Sequence, residues 1–267
     1  AGGASGIYGS GARYNYDMFA AQSGFDLYRG ERDDGGSDHA GIYVAFGQLT
    51  AGVTHATGRY AGDNSLNAYS VGAYWTRFGA SGWYLDGLAQ ATWNDAKAQS
   101  KESSGLSTSG VSIALSLEGG YPFDLGGGFR LEPQAQLTYQ TASLASGSDG
   151  MADVGFGNID SLAGRLGARL ARSWTMDRES DRPRFVTAWL TPGLWHEFLG
   201  NPLTTFSSAA GPVPFRADLG GTWAEIKAGF DAQVGSSASI FATVGYQAGF
   251  DGGSNAYTGK LGARMTW

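Results

Sequence analysis

From Tyr257 to Trp267 the chain alternates without a break: Tyr257, Gly259, Leu261, Ala263, Met265 and Trp267 fall on one side, Thr258, Lys260, Gly262, Arg264 and Thr266 on the other. A period of two marks a β-strand with unlike faces. Phe129 to Gln140 repeats it, with Phe129, Leu131, Pro133, Ala135, Leu137 and Tyr139 against Arg130, Glu132, Gln134, Gln136, Thr138 and Gln140. So does 223–234, with Ala224, Ile226, Ala228, Phe230, Ala232 and Val234 against Trp223, Glu225, Lys227, Gly229, Asp231 and Gln233. Residues 111–121 and 240–250 follow the same rule with small polar partners. Soluble sandwiches also alternate, so length has to decide. These segments run about 10 to 13 residues, against about 5 or 6 for a soluble strand and about 9 to 11 for a tilted strand crossing a bilayer.

About twelve such strands are predicted, near residues 5–14, 18–29, 40–54, 66–78, 82–95, 109–122, 128–141, 160–175, 184–198, 220–234, 239–250 and 256–267. The opening stretch, 1–17, is weakly patterned, and 42–53 reads in either register. Tight connections near 79–81, 124–127 and 235–237 alternate with long polar ones at 96–108, 143–158 and 199–218, although 176–182, on the short side, is long and charged. Short turns on one rim and long loops on the other fit an outer-membrane barrel with the short rim periplasmic. Lipid offers no partner to backbone N–H and C=O groups, so a spanning sheet closes on itself. The predicted fold is therefore all-β: one closed antiparallel transmembrane β-barrel, an up-and-down meander over residues 1–267. Trp83, Trp93, Tyr121, Tyr139 and Tyr257 sit where headgroup girdles would lie.

Composition sharpens this picture. Only 16% of the 267 residues are charged, 44 are glycine, and none is cysteine. No run approaches the roughly 20 apolar residues of a membrane helix. No cleavable leader is visible at Ala1, so the sequence reads as a mature chain or a fragment. A net charge of −6 without a basic stripe argues against a nucleic-acid partner.

On the polar faces lie Asp86, Glu118, Arg130, Glu132, Arg165, Arg169, Glu225, Lys227, Asp231, Lys260 and Arg264. A barrel would turn them into its lumen. A turn centred near Leu125 or Gly126 would bring Glu118 opposite Glu132, two carboxylates whose repulsion raises one pKa unless Arg130, Arg165 or Arg169 neutralises them. A barrel lipase would need a serine beside a histidine, and His39, His55 and His196 have no obvious serine in register. Acidic stretches 31–38 and 149–153 lack EF-hand spacing, and Gly126–Gly128 joins two strands without a helix, as a turn rather than a phosphate loop. Neither a metal nor a cofactor is expected.

Several motifs are family-like: Ser81-Gly82-Trp83-Tyr84-Leu85-Asp86, Leu117-Glu118-Gly119-Gly120-Tyr121 and Leu131-Glu132-Pro133-Gln134-Ala135-Gln136-Leu137. Asp160-Ser161-Leu162-Ala163-Gly164-Arg165-Leu166-Gly167-Ala168-Arg169 and the close Gly259-Lys260-Leu261-Gly262-Ala263-Arg264 join them. In this order, from about Phe19 to Trp267, the chain resembles the C-terminal translocator (β-domain) of monomeric autotransporters, type V secretion proteins of Gram-negative bacteria. The resemblance implies a monomeric twelve-stranded barrel in the outer membrane, surrounded by lipid. Its pore would export an N-terminal passenger to the cell surface without chemical catalysis.

It also implies that Trp267 is read by the outer-membrane assembly machinery, although a girdle anchor is an equal reading of that residue. Some members cut their own linker with lumenal acids, which makes Glu118 and Glu132 a candidate pair. The plainer reading is a salt-bridge network that keeps the pore open and wet. The family's linker helix does not fit Ala1–Gly11, where each interior glycine costs about 1 kcal/mol against alanine. A small porin is the alternative function, and a barrel enzyme the third.

Overall fold

The computed structural model describes residues 2–3, 13–55, 57–101, 105–176, 184–207, 211–216, 220–234, 237–250 and 254–265. Among them are seventeen strands and no helix. The sheet begins with β1 (Gly2–Gly3), β2 (Arg13–Glu31), β3 (Ser37–Thr54), β4 (Tyr60–Phe78), β5 (Tyr84–Ser100) and β6 (Leu106–Gly120). After β7 (Phe123–Gly126) and β8 (Phe129–Leu144) come β9 (Gly147–Ser148), β10 (Asp153–Phe156), β11 (Ile159–Met176) and β12 (Arg184–Glu197). The chain ends through β13 (Leu203–Phe206), β14 (Val213–Arg216), β15 (Gly221–Gln233), β16 (Ala238–Gly249) and β17 (Asn255–Met265). Twelve strands pair in the order β1-β2-β3-β4-β5-β6-β8-β11-β12-β15-β16-β17, an antiparallel up-and-down meander, and β7 folds onto β8.

Three expectations need correction. Strands overrun their predicted ends: β5 and β6 stay paired to Ala98↔Leu106, so most of the supposed loop 96–108 is sheet. The other two long connections carry strands of their own, and β9, β10, β13 and β14 form a second, four-stranded sheet that ties them together. The hairpin after β6 turns later than predicted, through Gly126, Gly127 and Gly128, all at positive φ. Glu118 therefore opposes Gln136 rather than Glu132, and Glu132 opposes Arg169.

The ambiguous segment 42–53 settles with Tyr43 on one face and Ile42 and Val44 on the other. Residues 5–12 of the expected first strand, most of the connection 176–182, the turn residues 235–236 and Trp267 lie outside the described residues. Arg13 and Tyr14, assigned to that first strand, belong to β2 and pair with Gly3 and Gly2. The sheet curls until β2–β4 and β16–β17 line one cavity of about 790 Å³. Among the described residues no pairing joins β17 to β1 or β2.

Burial along the strands is inverted relative to a water-soluble protein. In β6, Val111, Ile113, Leu115 and Leu117 are exposed, while the intervening Ser112, Ser116 and Glu118 are half-buried. Such an apolar exterior is unstable in water and stable only in an apolar medium. The concave face is packed partly by rings lying over glycines. A Cβ on Gly72 would stand 2.2 Å from Tyr43, and one on Gly262 2.2 Å from Phe241. Those glycines let a ring cross to the neighbouring strand, an approach that any side chain would block.

Candidate functional site: the concave face

Directly opposed residues in an antiparallel pair share a face, so register alone assigns sides. It puts all eleven predicted polar-face charges on one side, the side that surrounds the cavity. There they form a belt of mixed acids and bases.

The belt starts at Asp86, which accepts a hydrogen bond from Thr76 and opposes Glu118. Glu118 accepts from the Tyr84 hydroxyl at 2.5 Å and pairs with Arg165 at 2.8 Å. Arg165 also donates to Gln134, whose amide donates to Glu132. The Arg165 guanidinium lies 5.7 Å from the Trp195 ring, and the Trp195 N–H donates to Glu225 at 3.0 Å. Glu225 also takes Lys227 at 2.8 Å and Gln247 at 2.6 Å. Arg169 stands 3.9 Å from Asp231 and 5.2 Å over Trp189, whose N–H donates to Asp231. Arg130 pairs with Asp124 at the turn, and Lys260 lies over Phe241. Arg264 and Lys260 line the cavity opposite Asp26, His39 and Tyr74.

A second, uncharged ladder runs beside the belt. Tyr43 donates to Gln90, Gln90 donates to Ser70 and Thr92, and Asn94 donates to Ser112. Gln136 donates to Ser116, which bonds Thr138. Nearly every charge thus faces an opposite charge, a dipole or a ring, which lets the wall stay polar with little uncompensated charge.

Sequence reasoning missed Tyr84, Trp189 and Trp195, aromatic residues that serve the belt through a hydroxyl or an indole N–H. It also missed Asp26 and Arg29, an ion pair at 2.6 Å beside a bulge between Asp26 and Tyr28 that reverses the sides downstream. Gln90, Thr92 and Asn94 were legible as alternate polar positions in the strand after Tyr84.

Of the predicted girdle residues, Trp93, Tyr139 and Tyr257 are exposed on the convex face. Trp93 and Tyr139 lie well inside β5 and β8 rather than at their ends, because those strands run further than predicted. Trp83 closes the β4–β5 turn under Arg77, and Tyr121 packs on Phe123 at 5.1 Å. The histidines stand apart: His39 edges onto Phe78, His55 bonds Thr57, and His196 bonds Thr222 at 2.8 Å.

The description "Autotransporter beta-domain" belongs to the family whose model matches residues 3–245. The adhesin BmaC autotransporter of Brucella suis is 29% identical over 269 residues, covering 97% of this chain but 8% of its own length. The autotransporter adhesin AIDA-I of Escherichia coli is 27% identical over 275 residues, 94% of this chain and 20% of that protein. The chain thus spans a small part of both relatives. Among solved structures, the transport unit of AIDA-I from Escherichia coli superposes with a TM-score of 0.79 at 19% identity, covering 96% of this chain and 84% of that one. The β-domain of the Bordetella autotransporter BrkA gives 0.72 at 22% identity, covering 95% and 92%. At these identities the structural likeness speaks for the fold.

Proposed function

The chain belongs to the autotransporter β-domain family, and on that premise we propose that it anchors and exports a passenger attached N-terminal to it. It is an outer-membrane protein of the Gram-negative type. The observation that carries the export reading is the belt: eleven charges on the concave face, seven of them in ion pairs, against an apolar convex face. A wall of this kind holds water and gives an extended chain few places to stick. This domain contributes a path and an anchor, and no bond is made or broken by it.

In this reading the eleven charged residues line the lumen, Trp83, Tyr121 and Tyr257 near strand ends meet the headgroups, and Trp93 and Tyr139 face lipid from within the wall. The barrel is a monomer in lipid, inserted by the outer-membrane assembly machinery, for which Trp267 is either the recognised end or a further anchor. The turns at 79–83 and 126–128 face the periplasm, and the small loop sheet faces the cell exterior.

Pulse-chase immunoblotting of native outer membranes with an antibody to this chain tests the reading. A labelled precursor well above 27.9 kDa, with or without later conversion to a barrel-sized band, is the expected result. A single band near that mass from the earliest time point would remove the passenger and leave a porin.

A further inference from the structure

One charge on the convex face stands among aromatic rings. Arg172, in β11, is exposed and directly opposes Phe129 of β8. Its guanidinium lies 4.7 Å from the Phe129 ring and 5.2 Å from Trp174, two residues on and on the same face. Register fixes the side, since the adjoining Ala171 opposes Arg130 and Trp189 on the concave face. No ion pair to Arg172 is seen among the described residues. The level is the rim: the Ser173 N–H donates to the carbonyl of Gly128, in the β7–β8 turn. An arginine on a lipid-facing surface is costly at the midplane and close to free at the interface, where its head meets phosphate.

From Arg172 toward mid-membrane the convex face passes Ala168 and Pro133 and reaches an apolar groove of about 430 Å³. Its small residues are Gly119, Ala135 and Gly164, and Leu137, Leu166 and Phe198 flank them. Arg172 and Leu166 are six residues apart, about 20 Å along the strand. At a strand tilt of about 45° that is about 14 Å of depth, close to one leaflet of a hydrocarbon core about 30 Å thick.

We propose that this strip is a phospholipid site, with the headgroup phosphate on Arg172 and one acyl chain running down the strip until its end meets the near edge of the groove, selective for anionic over zwitterionic headgroups. The proposal rests on the membrane-spanning reading above. A planar guanidinium held between two ring faces is pre-set to bind phosphate through two N–H groups. A zwitterionic lipid brings a cation of its own that competes with Arg172. An anionic headgroup does not, so charge complementarity favours it.

The test is native mass spectrometry of the full chain, refolded in bilayers containing equal phosphatidylglycerol and phosphatidylcholine with matched acyl chains. Phosphatidylglycerol is expected to be retained at least fivefold over phosphatidylcholine. Arg172→Gln brings that ratio towards one, Arg172→Lys keeps most of it, and Ala135→Trp lowers retention of both lipids at an unchanged ratio. If Arg172→Gln does not fold, the wild-type ratio at about 0.1 M and about 1 M salt decides, because screening collapses a preference based on charge. A ratio of one for folded wild type, or one indifferent to Arg172 and to salt, overturns the site and leaves export standing. A chain with no folded form in lipid overturns both.

Discussion

The two faces of the wall from β6 to β11 are built from neighbouring residues and obey opposite rules. On the concave side Ser116 is tied to Gln136 and Glu118 to Arg165, and little of Arg165 is exposed. On the convex side Leu115, Leu117, Leu137 and Leu166 stand open, with Leu166 at 69% exposure. A soluble protein spends its apolar residues on a core, whereas among the described residues here no side chain is completely buried. The difference teaches that the outer solvent, rather than an inner core, absorbs the apolar surface. Hydrogen bonds across the wall supply the specificity that core packing supplies elsewhere.

The sharpest way to break this comparison is to place one cation on adjacent residues. Leu115→Arg puts it on the convex face in the middle of β6 and is expected to cost roughly 2–4 kcal/mol of folding free energy in lipid. Ser116→Arg puts it among Thr138 and Gln136 and costs about 1 kcal/mol or less, the worth of the bonds it displaces. Denaturant titration of both variants in vesicles, read by the heat-resistant band on a gel, measures the gap. Equal losses would mean that the faces meet the same solvent.

A smaller effect probes the concave face alone. Glu118→Gln keeps an acceptor for Tyr84 and removes the charge beside Arg165, whose side chain is 5% exposed against 23% for Glu118. Because Glu118 is partly wet, the loss is expected near 2 kcal/mol, within the range for a hydrogen bond to a charged group. Arg165→Met made in the Glu118→Gln background should then cost less than Arg165→Met alone, by about 1–2 kcal/mol of coupling. Strict additivity in this cycle would show that the pair is decorative and that the belt is held by its neutral members.

Most of the wall was legible in the sequence because the alternation survives: the convex and concave sets differ in hydrophobicity at every second residue of β6, β8 and β15. The family likeness was legible for the same reason, since its motifs fall on those strands. Three things were not legible. Apart from Leu106, residues 96–100 and 106–108 are polar or small on both sides, so little in their pattern distinguishes strand from loop. The hairpin centre depended on which of three consecutive glycines formed the tip, and choosing one residue early or late displaces every cross-strand pair. Trp189 and Trp195 are apolar by composition and face the polar side, where an indole N–H is worth more than its ring area. Only register shows that, and register follows from the turn.

The smallest prediction concerns a carboxylate off the wall, where water replaces the confinement that Glu118 experiences. Asp149, in the turn between β9 and β10, accepts from the N–H groups of Met151 at 2.9 Å and Ala152 at 2.8 Å. These donors, Met151 first, favour the ionised form and hold the carboxyl below its ordinary value of 3.8. A lowered folded-state pKa means that the contribution is fully present above 3.8 and is lost as pH falls through the lowered value. The amide shifts of Met151 and Ala152 should therefore titrate together with a midpoint below 3.8, and Asp149→Asn should abolish that titration. Neither change should move the thermal midpoint of the wall, because an exposed hydrogen bond in a rim turn is replaced by water at little cost. A midpoint at or above 3.8 would mean that the turn does not hold its carboxylate. An accompanying loss of wall stability would mean that the loop sheet and the barrel melt as one unit, which would remove the distinction between confined and solvated carboxylates.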